Sequence, residues 1–174
     1  MKILVTGGAG FIGSNLVDEL VKQKHQVIVL DDLSTGQKKN LNKSFGKIRF
    51  INIDISSEKN TLKLEKELKG VDIVFHLAGL ADIVPSIENP NSYLKVNVTG
   101  TLNILNAAKK NDIKKFIYAA SASCYGANPK YPTDEKNIIK TEYPYALSKN
   151  LGEQLVLHWK KVYKLNVVSF RFFN

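Results

Sequence analysis

Tyr145 and Lys149 stand four residues apart in the run Tyr145-Ala146-Leu147-Ser148-Lys149. On a helix, that spacing puts a phenol and an ammonium on one face, about one turn apart. A phenol is a poor base at its ordinary pKa of about 10, and a neighbouring cation favours the phenolate. Such a pair could take a proton from a hydroxyl, and the lysine could also hold ribose hydroxyls. Alone, the pattern is weak, since Tyr and Lys at this spacing arise often by chance. Ser121, in Ala119-Ala120-Ser121-Ala122-Ser123-Cys124-Tyr125-Gly126, could bond a reacting hydroxyl or carbonyl and share its proton. A serine there is equally a turn or cap residue. The stronger signal is Gly8-Ala9-Gly10-Phe11-Ile12-Gly13, which matches G-x-G-x-x-G. Those glycines serve a tight turn, close backbone approach to a pyrophosphate, and close packing of helix on strand. Free amides at the helix start then face the phosphates. Asp31 lies eighteen residues past Gly13, near the expected spacing of about 20 for a ribose-binding acid. A carboxylate there would repel a 2′-phosphate, which argues for NAD over NADP.

These groups need a scaffold, and the hydrophobic pattern supplies one. Apolar runs at 2–6, 26–30, 48–53, 71–77, 115–120 and 167–173 read as strands. Between them lie helical patterns: one beginning at Ile12, a lysine- and glutamate-rich one around 62–68, and long ones at 92–110 and 145–163. In the last, Leu147, Leu151, Leu155, Trp159 and Val162 form the stripe expected to pack on a sheet. Pro85 and Pro90 mark a loop, and the polar segment 126–144 reads as a long surface loop. Strands alternating with helices imply parallel strands joined by right-handed crossovers. Near-continuous apolar strands fit a sheet covered on both faces. The expected architecture is a single α/β domain, a doubly wound parallel sheet of the Rossmann type. The glycine loop follows its first strand, and Ser121 ends its fifth, where ligands of such sheets bind.

Composition narrows the function classes. The 174 residues are 44% hydrophobic and 24% charged, enough to bury a core without disulfides or metal. No apolar stretch approaches a membrane span, and glycines follow Met1 too early for a secretory apolar region. A cytoplasmic location is therefore expected. With one cysteine, Cys124, and three histidines, a zinc site is not expected. The net charge of +9 raises a nucleic-acid question, but Arg49 and Arg171 are the only arginines and the lysines are scattered. Solvated helix ends are the better reading, and no nucleic-acid partner is expected. Cys124 reads as a packed small residue, His25 and His76 as structural, and Trp159 as core. Asp82 and the Pro85-Ser86 segment could line a substrate site or serve plain loop chemistry.

Taken together, Thr6-Gly7-Gly8-Ala9-Gly10-Phe11-Ile12-Gly13, Asp31-Asp32-Leu33-Ser34-Thr35-Gly36, His76-Leu77-Ala78-Gly79, Asn97, Ser121 and Tyr145-x-x-x-Lys149 resemble the extended short-chain dehydrogenase/reductases. The subgroup looks like the NAD-dependent nucleotide-sugar epimerases of the UDP-glucose 4-epimerase type. Arg171-Phe172-Phe173-Asn174 is similar to that family's Arg-Tyr-Phe-Asn. The resemblance implies that Gly7, Gly10 and Gly13, with Phe11 and Ile12 between them, hold the pyrophosphate. It assigns Asp31 and its neighbour Asp32 to the adenosine ribose and Asp54 and Ile55 to the adenine. Leu77, Ala78 and Gly79 would line the cofactor, and Asn97 would lie beneath it. Ser121, Tyr145 and Lys149 would be catalytic, Tyr145 and Lys149 also touching NAD, and Ser121, Ser123 and Asn174 would meet the sugar nucleotide.

Departures refine this reading. Dehydratases of the family resemble Thr-Asp-Glu, and decarboxylases Thr-Ser-Glu, where this chain has Ser121-Ala122-Ser123. Without those carboxyls, epimerisation outranks dehydration. A lysine that some galactose epimerases carry is replaced by Ala81. A dehydratase or reductase, and an idle NAD-binding module, are the alternatives. The resemblance also implies a homodimer through the helices at 92–110 and 145–163, and a C-terminal substrate lobe that is missing here.

Overall fold

The computed structural model describes residues 1–127 and 129–173. Six strands form one parallel sheet: β1 (Lys2–Thr6), β2 (Gln26–Asp31), β3 (Ile48–Asn52), β4 (Ile73–His76), β5 (Lys115–Ser121) and β6 (Val167–Phe172). Their spatial order is β3-β2-β1-β4-β5-β6, with every adjacent pair parallel. The chain winds outward from β1 to β3, then crosses to β4 and winds the other way. The β1/β4 boundary is therefore the switch point, where a crevice opens beyond the strand ends. This is the doubly wound Rossmann topology.

Strand alternation assigns the two faces. Ile3 and Val5 of β1, with Val27 and Val29 of β2, pack on Val17 and Leu20 of α1 (Phe11–Lys22). Leu4, Ile28, Leu30, Val74 and Phe116 point the other way. They meet Leu64 of α2 (Thr61–Glu67), Ile104 and Leu105 of α5 (Thr101–Lys110), and Val156 of α6 (Pro144–Tyr163). Among the described residues, no helix is long and apolar enough to cross a membrane.

Three local readings need correction. The proline-marked loop contains α3 (Ile83–Glu88) and α4 (Pro90–Leu94). Both prolines sit in first turns, where the missing amide costs no hydrogen bond, and the Asn89 side chain caps α4 by accepting from the Ser92 amide. The helix expected at 92–110 therefore begins earlier, and it is interrupted by a π-helical turn at Lys95–Gly100 before α5 starts. The third correction concerns α6. Leu147 and Val162 are exposed, while Ala146, Ser148, Lys149, Gly152, Glu153 and Val156 form the buried face. Leu155 and Trp159 are partly buried against the core. The inward face carries small and charged residues because their partners come from β5 and β6. A Cβ on Gly152 would collide with the Tyr118 hydroxyl, and Glu153 meets Arg171.

Candidate active site

The loop between β1 and α1 is shaped by its glycines. Gly7 has φ +68, and a Cβ on it would come within 2.7 Å of the Ala78 amide nitrogen, so only glycine lets β1 and β4 close the crevice floor. A Cβ on Gly13 would strike the Gly7 carbonyl, so α1 starts tight against the loop. Gly10 differs: its Cβ would meet only the Gly7 oxygen, at 3.3 Å, and would otherwise stand in the open crevice. The Phe11 and Ile12 side chains are exposed. What these residues offer is backbone, since the amides of Phe11, Ile12 and Gly13 head the helix with no preceding turn to bond them.

Asp31, at the end of β2, is buried at 6% exposure. One carboxylate oxygen accepts from the Ala9 amide at 2.9 Å and the other from the Leu33 amide at 2.8 Å. It therefore staples the glycine loop to β2, and each oxygen keeps a lone pair for a ribose hydroxyl. Asp32 is tied to Ser34, and Asp54 to Ser56, through both amide and hydroxyl. One crevice brings together Gly7, Gly10, Asp31, Asp32, Asp54, Ile55, Leu77, Ala78 and Gly79. Leu30, Ser34, Thr35, Ile53, Leu80 and Val96 join them there, unassigned by the sequence reading. Ser34 and Thr35 followed the acid pair and could have been included on that adjacency. Val96 could not, because only the packing of its helix brings it to the crevice. An open cradle at Gly10, free helix amides and a ribose-height carboxylate fit a dinucleotide.

A second cavity, of about 640 Å3, opens from the same strand ends and shares Leu77, Gly79 and Leu80 with the first. Ser121, Ser123, Tyr145 and Lys149 all line it. Ser123 donates its hydroxyl to the Ser121 oxygen at 2.8 Å and its amide at 3.2 Å. The Ser121 proton is thereby left to point elsewhere, toward whatever fills the cavity. Tyr145 sits in the first turn of α6, edge-on to Tyr93 at 6.3 Å. Lys149 is 7% exposed, and its ammonium lies 4.8 Å over the Tyr118 ring. Burial pushes its pKa down to about 8, against an opposing pull from Glu153. Glu153, one turn further along α6, is already held by Ser169 at 2.7 Å and Arg171 at 2.9 Å. Among the described residues, the Lys149 ammonium makes no salt bridge.

The remaining candidates fall into place around these cavities. Asp82 and Pro85 line the second one, and Asp82 has φ +76; Ser86 is buried and bonds the Ile83 carbonyl. Asn97 is 1% exposed and lines neither cavity. Its amide grips the Leu80 amide and carbonyl and the Ser148 hydroxyl, so it acts behind the wall. Cys124 is buried, and burial pushes its thiol pKa up. Asn174 lies outside the described residues.

His76 is fully buried between Thr6 and Thr101, and burial, aided by Lys149, pushes its pKa down to about 3. An unfolded histidine titrates near 6.5. Between these values the unfolded chain binds a proton that the native chain does not, so stability falls as pH drops below about 6.5. The expected slope from this residue is about 1.4 kcal/mol per pH unit. Urea midpoints at pH 6.5 and 5 check it, with His76→Gln flattening the difference; an unchanged difference contradicts it.

The comparisons with known proteins agree with this geometry. The model of the NAD dependent epimerase/dehydratase family matches residues 3–174. The chain belongs to that family. It is 40% identical over 173 residues to a putative UDP-glucose 4-epimerase of Methanocaldococcus jannaschii, covering 99% of this chain and 55% of that relative. The UDP-N-acetylglucosamine 4-epimerase of Methanobrevibacter ruminantium, solved with UDP-N-acetylmuramic acid, superimposes with a TM-score of 0.92 at 37% identity, covering 99% of this chain and 55% of that one. The UDP-glucose 4-epimerase of Brucella ovis, solved with NAD, gives 0.91 at 30% identity, covering 99% and 52%. NAD is the cofactor of this epimerase/dehydratase family. The chain spans about half the length of the family members it matches.

Proposed function

We propose that the chain is the NAD-binding portion of a nucleotide-sugar 4-epimerase acting on a UDP-hexose or UDP-N-acetylhexosamine. The observation that carries this reading is the convergence of Ser121, Tyr145 and Lys149 on a cavity that shares a wall with the dinucleotide crevice. NAD, when bound, would accept a hydride from the sugar carbon and return it to the other face. Tyr145, as its phenolate, takes the proton from the sugar hydroxyl as the hydride departs, and the Lys149 ammonium stabilises that phenolate. Ser121, supported by Ser123, donates to the same oxygen as it becomes a carbonyl. On the return step Tyr145 gives the proton back. Ala122 stands where dehydratases of the family carry an acid, which supports epimerisation over loss of water. The proposed homodimer would use the helices at 92–110 and 145–163, where Val98, Leu151 and Leu155 line a shallow groove.

The assay follows the epimer ratio of UDP-glucose or UDP-N-acetylglucosamine with NAD present, in the chain alone and in a form carrying the remaining length seen in relatives. The longer form should interconvert the epimers, and accumulation of a 4-keto sugar there would reject the epimerase reading. Because remote parts of a substrate supply the energy that positions its reacting carbon, the 174-residue chain should bind NAD yet turn over little. Cofactor choice has its own test. Asp31→Asn should raise NADP affinity by about tenfold by removing like-charge repulsion, and should weaken NAD, because one amide oxygen cannot hold both Ala9 and Leu33. Calorimetry showing equal NAD and NADP binding in the unaltered chain would remove Asp31 from this role.

A further inference from the structure

Behind both cavities runs one chain of buried hydrogen bonds, and its ends dictate the direction of every link. Thr6, His76, Thr101, Asn97 and Ser148 are each at most 1% exposed. The Thr101 hydroxyl lies 2.7 Å from the Asn97 backbone carbonyl, which can only accept, so its single proton is spent there. Toward His76 Nε2, at 2.9 Å, Thr101 must then accept, and Nε2 carries the hydrogen. A neutral imidazole has one N–H, so Nδ1 is bare and accepts the Thr6 hydroxyl at 2.7 Å. The Thr6 oxygen in turn accepts the Ala78 amide at 3.1 Å. At the far end, Asn97 holds Leu80 through amide and carbonyl and donates to Ser148, which donates to the Tyr145 carbonyl at 2.8 Å.

We propose that His76, fixed as its Nε2–H tautomer, is a positioning residue that locks the Leu77–Leu80 wall to the turn of α6 bearing Tyr145. The proposal rests on reading the crevice as a dinucleotide site. Its logic is geometric. The wall residues Leu77, Gly79 and Leu80 face both cavities, and they are reached from below by Thr6 on one side and Asn97 on the other. His76 sits between these two grips, so it sets the distance between them. A second proton on the ring would have to be donated toward Thr6, whose oxygen already receives Ala78, and the Thr6 proton would lose its acceptor. The ring also stacks at 5.7 Å on Tyr118, the aromatic floor beneath Lys149. Buried polar groups that are fully satisfied in this way rigidify the elements they join.

The experiment uses the 174-residue chain with NAD as probe. Nitrogen NMR of the labelled chain should show His76 as Nε2–H from pH 5 to 8, and Thr101→Val, which removes the acceptor, should abolish that pattern. In calorimetry at pH 7, His76→Phe should weaken NAD binding about tenfold, the loss expected of one or two neutral hydrogen bonds. His76→Gln, whose amide oxygen and nitrogen can stand in for Nδ1 and Nε2–H, should recover most of it. An Nδ1–H or doubly protonated ring overturns the proposal, as does NAD binding by His76→Phe equal to the unaltered chain. Should His76→Phe fail to fold, Thr6→Val carries the same binding expectation. If the unaltered chain binds no NAD, the dinucleotide reading falls, while the tautomer and its response to Thr101→Val still decide the network.

Discussion

Tyr145→Phe is expected to lower epimerase turnover about 10²- to 10⁴-fold, the range supplied by a positioned proton acceptor, in a form of the protein carrying the relatives' full length. NAD affinity should stay nearly unchanged, because in the proposed mechanism the phenol hydroxyl serves the sugar, and the ring is retained. Phenylalanine also preserves the edge-on contact with Tyr93, so the first turn of α6 should hold its place. Initial rates and calorimetry on the same preparation separate the two effects. A variant that retains a tenth or more of the rate would move the proton chemistry to another group.

Lys149→Met should produce opposite effects on activity and stability. Turnover should be lost, yet at pH 7 the variant should be more stable by about 2–3 kcal/mol. The lysine is almost fully buried, and burial lowers its pKa to about 8, against about 10.4 unfolded. Below pH 8 the native chain therefore bears the whole cost of a buried ammonium. Between pH 8 and about 10 the native form gives up its proton first, so stability rises with pH across that window. The methionine variant has no such rise, and packing lost over the Tyr118 ring trims its gain. Denaturant midpoints at pH 7 and 9.5 for both proteins measure this directly. A variant less stable than its parent at pH 7 would mean that the Glu153 and Tyr118 contacts outweigh desolvation.

How much of this was legible beforehand can be seen element by element. The glycine loop and Asp31 were readable because their constraint is local. Gly7 must adopt φ +68 beside Ala78, and an acid ending β2 reaches the loop through a fixed strand register. The strands were readable because a sheet covered on both faces demands uninterrupted apolar runs. Ser121 and Tyr145 were readable as types, while their meeting in one site was implied only by the family resemblance, since twenty-three residues of chain separate them. The α6 stripe misled for a specific reason. Periodicity finds the greasiest face, and here the buried face is built from Gly152, Lys149 and Glu153, whose partners Tyr118, Ser169 and Arg171 lie on β5 and β6.

The sequence by itself determined the fold class, the glycine cradle, the acid that ends β2 and the residue types suited to proton chemistry. Each follows from backbone sterics or from a spacing within one element. Only the tertiary structure decided that Arg171 and Ser169 would occupy Glu153, that Ser123 would bond Ser121, and that Asn97 and His76 would sit behind the wall. Those outcomes depend on which buried donor meets which acceptor across elements far apart in the chain. A hydrogen bond has one geometry and a proton one destination, and neither is fixed until the strands and helices are in place.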